Sequence, residues 1–68
     1  MNSQDLAHFS KKGKQAREKL NLTQAEVAEK AANVTVNYYA MIERGEVNPS
    51  FEKIKRIAKV LKLKITIS

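Results

Sequence analysis

A chain of 68 residues without a single cysteine must hold its fold together by side-chain packing, alone or with a partner subunit. Domains of this size bury only about 60% of the surface that the unfolded chain exposes, so their stability is marginal. Neither disulfides nor thiolate zinc sites can form, and the carboxylates are too scattered to build a metal site with His8. We therefore expect residues 1–68 to form a single packed domain without a metal or a cofactor.

Apolar residues recur at intervals of three and four along most of the chain, which is the spacing of one helix face. The first stripe consists of Leu6, Phe9, Gly13, Ala16 and Leu20. A second stripe consists of Val27, Ala28 and Ala31, and the last of Phe51, Ile54, Ile57, Ala58 and Leu61. The missing side chain of Gly13 predicts a close approach by a neighbouring backbone. This spacing predicts an all-α fold with a compact core of four or five helices.

Residues that begin and end helices divide this pattern into segments. Thr23 and Glu26 fit a capping box, which predicts a short second helix that ends near residues 32–33. Thr35 is a good N-cap for a third helix that runs to about Arg44, and Gly45 suits the left-handed residue after it. Ser50 is in turn a good N-cap for a fourth helix.

Two adjacent tyrosines in the third helix cannot both face the core. Neighbouring residues point about 100° apart on an α-helix. Tyr39 shares its face with Ile42, so we assign Tyr39 to the core and Tyr38 to the outer side.

The last eight residues change to an alternating pattern. Leu61, Leu63, Ile65 and Ile67 alternate with Lys62, Lys64 and Thr66, the period of a half-buried strand. Such a strand needs a partner, either the N-terminal residues or the same segment of a second subunit. Because twofold dimers are the commonest assemblies, we predict a homodimer through Leu61–Ser68. The alternative is a frayed extension.

The net charge of +6 is distributed unevenly. Residues 1–22 and 53–68 are basic, whereas residues 23–52 contain five glutamates against Lys30 and Arg44. Basic segments attract phosphate backbones or anionic membranes. Tryptophan is absent, no apolar run is long enough to span a bilayer, and the N-terminus lacks the apolar region of a signal peptide. We expect a cytoplasmic protein that binds no membrane.

Two short helices joined by a turn, the first opening on Thr-Gln, have the design of a helix-turn-helix. From about Phe9 to Leu63 the sequence resembles the lambda-repressor/Cro-like (Xre-type) helix-turn-helix family. The matching blocks are Leu22-Thr23-Gln24, Val27-Ala28, Val34-Thr35, Ile42-Glu43-Arg44-Gly45, Asn48-Pro49-Ser50 and Ile57-Ala58-Lys59. The turn is one residue longer than the common pattern of the family, and we expect Asn33 to take its left-handed position.

The resemblance implies a lambda-repressor-like fold, double-stranded DNA as partner, and a role for particular residues. The residues implied to read bases are Val36, Asn37, Tyr38 and Met41. Those implied to bind phosphates are Gln24 at a helix N-terminus, with Lys14, Thr23, Thr35, Arg44 and Asn48. Arg17 and Glu43 resemble the pair that forms a partly buried ion pair between the first and third helices of the family.

The base-reading set contains no arginine or lysine, so the usual bidentate contact with guanine is missing. Asn37 can pair with adenine, and Val36 and Met41 can pack on thymine methyl groups. We therefore predict a transcriptional regulator, a repressor, whose helix Thr35–Arg44 reads an A·T-rich operator half-site. Its affinity would come largely from Lys11, Lys12, Lys14 and the C-terminal lysines.

A second hypothesis is a protein-interaction module of the same fold, of the antitoxin or coactivator type. The acidic central stretch and the uncharged reading helix leave room for this function. The sequence does not indicate an enzyme, because it shows no paired carboxylates, no nucleophile with a histidine base and no glycine-rich phosphate loop.

Overall fold

The computed structural model describes residues 3–32 and 34–63. These residues form four α-helices: α1 (Ser3–Lys19), α2 (Gln24–Ala31), α3 (Val36–Glu43) and α4 (Phe51–Val60). No strand is present in this part of the chain. The predicted all-α fold is confirmed.

The last three helices begin where the capping residues predict. The Thr23 hydroxyl accepts a hydrogen bond from the Glu26 backbone N–H (3.1 Å), and the Glu26 carboxylate accepts one from the Thr23 N–H (2.9 Å). The hydroxyls of Thr35 and Ser50 each accept from the N–H three residues later, at 3.0 and 3.3 Å. These bonds satisfy backbone donors that would otherwise be left unpaired in the first turn of each helix.

Helices α1, α3 and α4 end in the same type of hydrogen-bonded turn. A residue with positive φ follows the last turn in each case: Asn21 (58°), Gly45 (72°) and Lys62 (58°). The next residue then donates its N–H to a carbonyl five positions back, at 3.0, 2.9 and 2.8 Å respectively. This is the Schellman arrangement, which satisfies carbonyls left free at a helix end.

The connection between α2 and α3 departs from the sequence-based expectation. Ala32 takes the positive φ there, with φ 59° and ψ 153°, and its N–H reaches the Glu29 carbonyl at 3.3 Å. A residue with a Cβ rarely adopts this backbone conformation. The expected left-handed conformation of Asn33 lies outside the described residues.

The core lies where α2 packs against both α3 and α4, and α1 packs on α3. Its buried apolar residues are Val27, Ala28, Ala31, Val34, Tyr39, Ile42, Ile54, Ile57, Ala58 and Leu61. Tyr39 is only 1% exposed, as its helix position predicts, whereas Tyr38 is half-buried. Full burial of a large apolar side chain contributes about 1.5–3 kcal/mol, so these residues supply most of the packing energy.

Two expectations about packing are wrong. Phe51 does not belong to the core: it is the first residue of α4, it is 50% exposed, and Lys55 Nζ lies 5.6 Å from its ring centroid. No backbone approaches Gly13 closely either. A Cβ placed there would meet the Leu61 Cδ1 at 3.6 Å, an ordinary side-chain contact.

The described part of the predicted strand Leu61–Ser68 is not extended. Leu61 is buried and ends α4, Lys62 has a positive φ, and Leu63 donates its N–H to the Ala58 carbonyl. These residues therefore form the turn that ends α4. Residues 64–68, on which the rest of the strand prediction depends, lie outside the described residues.

Candidate nucleic-acid interface

The outer side of α3 is open near its N-terminus. Val36 is 48% exposed and Asn37 is also exposed, while Tyr39 and Ile42 on the opposite side are buried. Four residues were expected to read bases on this helix. Two of them, Val36 and Asn37, lie free on the surface.

The other two residues of that set, Tyr38 and Met41, are half-buried. The Tyr38 ring packs against the core cluster, and Lys53 Nζ lies 5.3 Å from its centroid. An ammonium group at this distance from an aromatic face is attracted to it. The contact brings a positive charge from α4 to the side of α3. Lys53 was not predicted at this site from the sequence, because only the folded chain brings it beside the Tyr38 ring.

A hydrogen-bonded ion pair ties α3 to α1. Arg17 Nε and Nη2 donate to the two oxygens of Glu43 at 2.6 and 3.2 Å, and the side chains are 15% and 5% exposed respectively. Arg17 Nη1 also donates to the Leu22 carbonyl at 3.0 Å. The structure thus brings together the two residues that the resemblance paired. Their contact holds the C-terminal end of α3 against α1 and the chain that leads into α2.

Glu43 stays charged in this environment. Burial alone would raise the pKa of its carboxyl group, but the hydrogen bonds from Arg17 and Gln24 outweigh that effect and hold the pKa below its ordinary value. The same hydrogen bond with Glu43 raises the pKa of Arg17. Burial, together with the neighbouring Glu43 carboxylate, raises the pKa of the Tyr39 hydroxyl. Both members of the ion pair therefore remain ionised at neutral pH.

Gln24, expected to bind a phosphate, is part of this network. Its Nε2 donates to Glu43 Oε1 at 2.9 Å. A side-chain amide has two N–H donors, so this contact leaves one for another acceptor. Gln24 is half-buried at the first position of α2, where the backbone N–H groups favour an anion.

The remaining residues expected to bind phosphates are spread over the surface. Lys14 on α1 and Asn48 in the loop before α4 are exposed. Thr23 and Thr35 are exposed too, but their hydroxyl oxygens already accept the capping hydrogen bonds. Arg44 is exposed and donates from Nε and Nη2 to Glu46, at 2.7 and 3.0 Å. This partner was not predicted from the sequence, and its carboxylate lies directly against the Arg44 guanidinium.

The residues that the structure describes contain no group of three or more histidine or acidic side chains that could hold a metal ion. None of the helices described is long and apolar enough to cross a membrane.

Two capped helices joined by a turn, the second with an open outer side, define a helix-turn-helix. A comparison with protein families supports this class: the family model HTH_3, described as helix-turn-helix, matches residues 14–67. The chain belongs to this family, the Xre/lambda repressor-like helix-turn-helix proteins. The family is a DNA-binding one whose members are typically transcriptional regulators and not typically enzymes. Comparisons with curated proteins and with solved structures each found no significant match.

Proposed function

We propose that this chain is a cytoplasmic transcriptional repressor that reads an operator half-site with α3. The observation that carries the proposal is the open outer side of this helix at Val36 and Asn37. Tyr39 and Ile42, which are buried on its inner side, keep the helix in place. A helix presented in this way can enter the major groove of B-DNA, which is about 12 Å wide.

The chemistry of this surface favours A·T base pairs. The Asn37 amide can donate to N7 and accept from the N6 amino group of adenine, and Val36 can pack on a thymine methyl group. Met41 and Tyr38 are half-buried, so only part of each side chain can contact the groove. Lys53 beside the Tyr38 ring supplies a cation for a phosphate at the edge of the groove.

Phosphate contacts around α3 would set its register on the duplex. The candidates for these contacts are the free N–H of Gln24, the first-turn backbone of α2, Asn48 and Lys14. Their exposed or half-buried surface positions support this role. Arg44 would have to exchange its contact with Glu46 for a phosphate. Glu43 would repel DNA little, because Arg17 neutralises its charge.

We also propose that residues 1–68 act as one binding unit and form a homodimer through the segment Leu61–Ser68. Because Leu61 is buried in the core of its own subunit, the residues after it would make the contact. A dimer of this kind would bind half-sites about 34 Å apart, one helical turn of B-DNA.

Selection of bound sequences from random duplex DNA tests the proposal. We expect A·T-rich half-sites, and we expect Asn37→Ala to weaken binding to the selected sequence by about 5- to 150-fold, the value of one bidentate base contact at 1–3 kcal/mol. Binding to unrelated duplexes should change little. Gln4→Ala removes another exposed amide, from the start of α1, and serves as the matched control.

Two results would count against this function. Recovery of G·C-rich half-sites would contradict the reading by Asn37. A binding constant that does not change with salt concentration would mean that no phosphate is contacted. The protein-interaction hypothesis would then take the place of DNA binding.

A further inference from the structure

The groove between the C-terminal end of α2 and the outer side of α4 has a volume of about 590 Å³. We infer that it binds an acidic peptide segment with interspersed apolar side chains, supplied by a partner protein. This surface is separate from the open side of α3, and the inference does not depend on the proposed repressor function.

Positive charge converges on this groove. Lys30 comes from α2, and Lys55, Arg56 and Lys59 come from α4. The acidic residue in the lining is Glu52, and its Oε1 already accepts from Arg56 Nη2 at 3.1 Å. An occupant with negative charge is therefore favoured by three further cations.

None of these three lysines forms an ion pair within the described part of the chain. Lys30 lies close enough to Glu26 on its own helix to help lower the pKa of that carboxyl, but the two make no salt bridge. Lys55 Nζ lies over the face of the Phe51 ring, 5.6 Å from the centroid. These ammonium groups can turn toward an incoming carboxylate without breaking an existing pair.

The surface between the cations is partly apolar. Ala32 and Val60 line the groove with accessible side chains, Ala31 beside them is almost completely buried, and these small side chains leave room for an aliphatic group. The sugar-phosphate backbone of a nucleic acid presents C–H groups of its sugars but no branched aliphatic side chain. A peptide can present carboxylates and leucine side chains together, as helical peptides do in grooves of this kind. The mixed character of the groove therefore favours a protein segment over a second stretch of nucleic acid.

The groove lies apart from the candidate DNA contacts on α2. Ala31 follows Gln24 by seven residues, which places it about 10 Å further along the helix. Residues 64–68 of the chain include Lys64 and no acidic side chain, so they do not supply the complementary charge. A partner that occupies the groove would leave the contact between Gln24 and Glu43 intact.

Fluorescence anisotropy with two labelled peptides of equal length and charge tests the inference. One peptide contains glutamates with interspersed leucines, and the other contains glutamates with interspersed serines. We expect the leucine peptide to bind about tenfold more tightly than the serine peptide, since about 1.4 kcal/mol of apolar burial is a factor of ten.

Paired variants locate the site. Lys55→Gln combined with Lys59→Gln should weaken binding of the leucine peptide by about tenfold, which is the contribution of two partly exposed ion pairs. The control combines Lys12→Gln with Lys19→Gln, which removes the same charge from exposed positions on α1. It should change the affinity for the leucine peptide by less than about twofold. Unchanged far-ultraviolet circular dichroism and urea midpoints would show that both double variants fold.

Amide chemical shifts locate the bound peptide on the surface, which a general attraction between opposite charges would not do. With the leucine peptide, we expect the largest changes at Ala31, Ala32 and Val60. Equal weakening by the two double variants would overturn the inference in favour of unspecific attraction. The same shifts with a random DNA duplex would overturn it in favour of a nucleic-acid surface. Dissociation of a dimer by the Lys55/Lys59 variant, measured by sedimentation, would show a contact between copies of this chain instead.

Discussion

Replacement of Arg17 by methionine tests whether the ion pair between α1 and α3 behaves as a buried one. Methionine keeps the unbranched side chain but leaves the Glu43 carboxylate, 5% exposed, with the Gln24 amide as its donor. Removal of one partner from a buried ion pair costs about 3–5 kcal/mol. Gln24 continues to donate and Arg17 is 15% exposed, so we expect the lower end of this range, about 3 kcal/mol.

That cost is large for a domain of this size, whose core supplies only about 3–5 kcal/mol of net stability. The melting temperature should fall by roughly 12–24 °C. Urea unfolding followed by circular dichroism measures the change, and an unchanged slope against urea would show that the denatured state is the same.

Arg44→Met is the matched control. Arg44 and Glu46 form the same two-bond contact, at 2.7 and 3.0 Å, but both side chains are about half exposed (54% and 50%). Solvent screens such a pair, so we expect no measurable change in the urea midpoint. If Arg17→Met shifts the urea midpoint no more than Arg44→Met does, burial does not set the value of the Arg17–Glu43 pair.

A double variant, Arg17→Met with Glu43→Met, separates the cost of the unpaired charge from the value of the pair. Both charges are then absent, and two apolar side chains replace them. Because no carboxylate is left buried without its partner, we expect the double variant to be more stable than Arg17→Met alone. If the loss of unfolding free energy in the double variant equals the sum of the losses in the two single variants, the two residues act independently.

The remaining predictions concern single groups. The pKa of Glu43 is lower in the folded state than in the unfolded state, so the unfolded state takes up a proton first as the pH falls. Stability should therefore decline below about pH 4.3, the ordinary pKa of a glutamate. In Glu43→Gln the urea midpoint should decline less steeply over the same pH range. Gly13→Ala should raise the unfolding free energy by about 0.5–1 kcal/mol, because the Leu61 side chain leaves room for a methyl group; a lower midpoint would mean overpacking. Ala32→Gly should raise the melting temperature, because glycine adopts the positive φ without the strain of about 1 kcal/mol that alanine carries there. A lower melting temperature would contradict the positive φ at this residue. Tyr39→Phe should lower the unfolding free energy by less than about 1 kcal/mol, since the buried hydroxyl lies near the Glu43 carboxylate but has no partner at hydrogen-bonding geometry in the described part of the chain. A larger loss would show that Tyr39 donates a hydrogen bond to Glu43.

The local signals in the sequence predicted the helix starts well. Thr23, Thr35 and Ser50 each cap a helix, and Gly45 adopts the expected positive φ. A capping bond joins residues three apart, so short stretches of sequence contain both partners. The buried position of Tyr39 followed from helical spacing for the same reason.

The details of the candidate site depend on contacts between distant segments. Gln24 meets Glu43 across 19 positions of sequence, and Lys53 of α4 reaches the Tyr38 ring of α3 only in the folded chain. The family resemblance pointed to Arg17 and Glu43, but no spacing rule joins residues 26 positions apart.

The amino-acid order alone determined that the chain forms capped helices with one apolar face each, since capping and helical spacing act over a few neighbouring residues. Only the tertiary structure decided which parts of those faces are covered. It left Phe51 half exposed at the start of α4, put the positive φ at Ala32, and closed the chain into a turn at Lys62 where alternation had suggested a strand. Burial and backbone conformation at these positions depend on how whole helices pack against one another, and a periodic pattern within one segment carries no information about its neighbours.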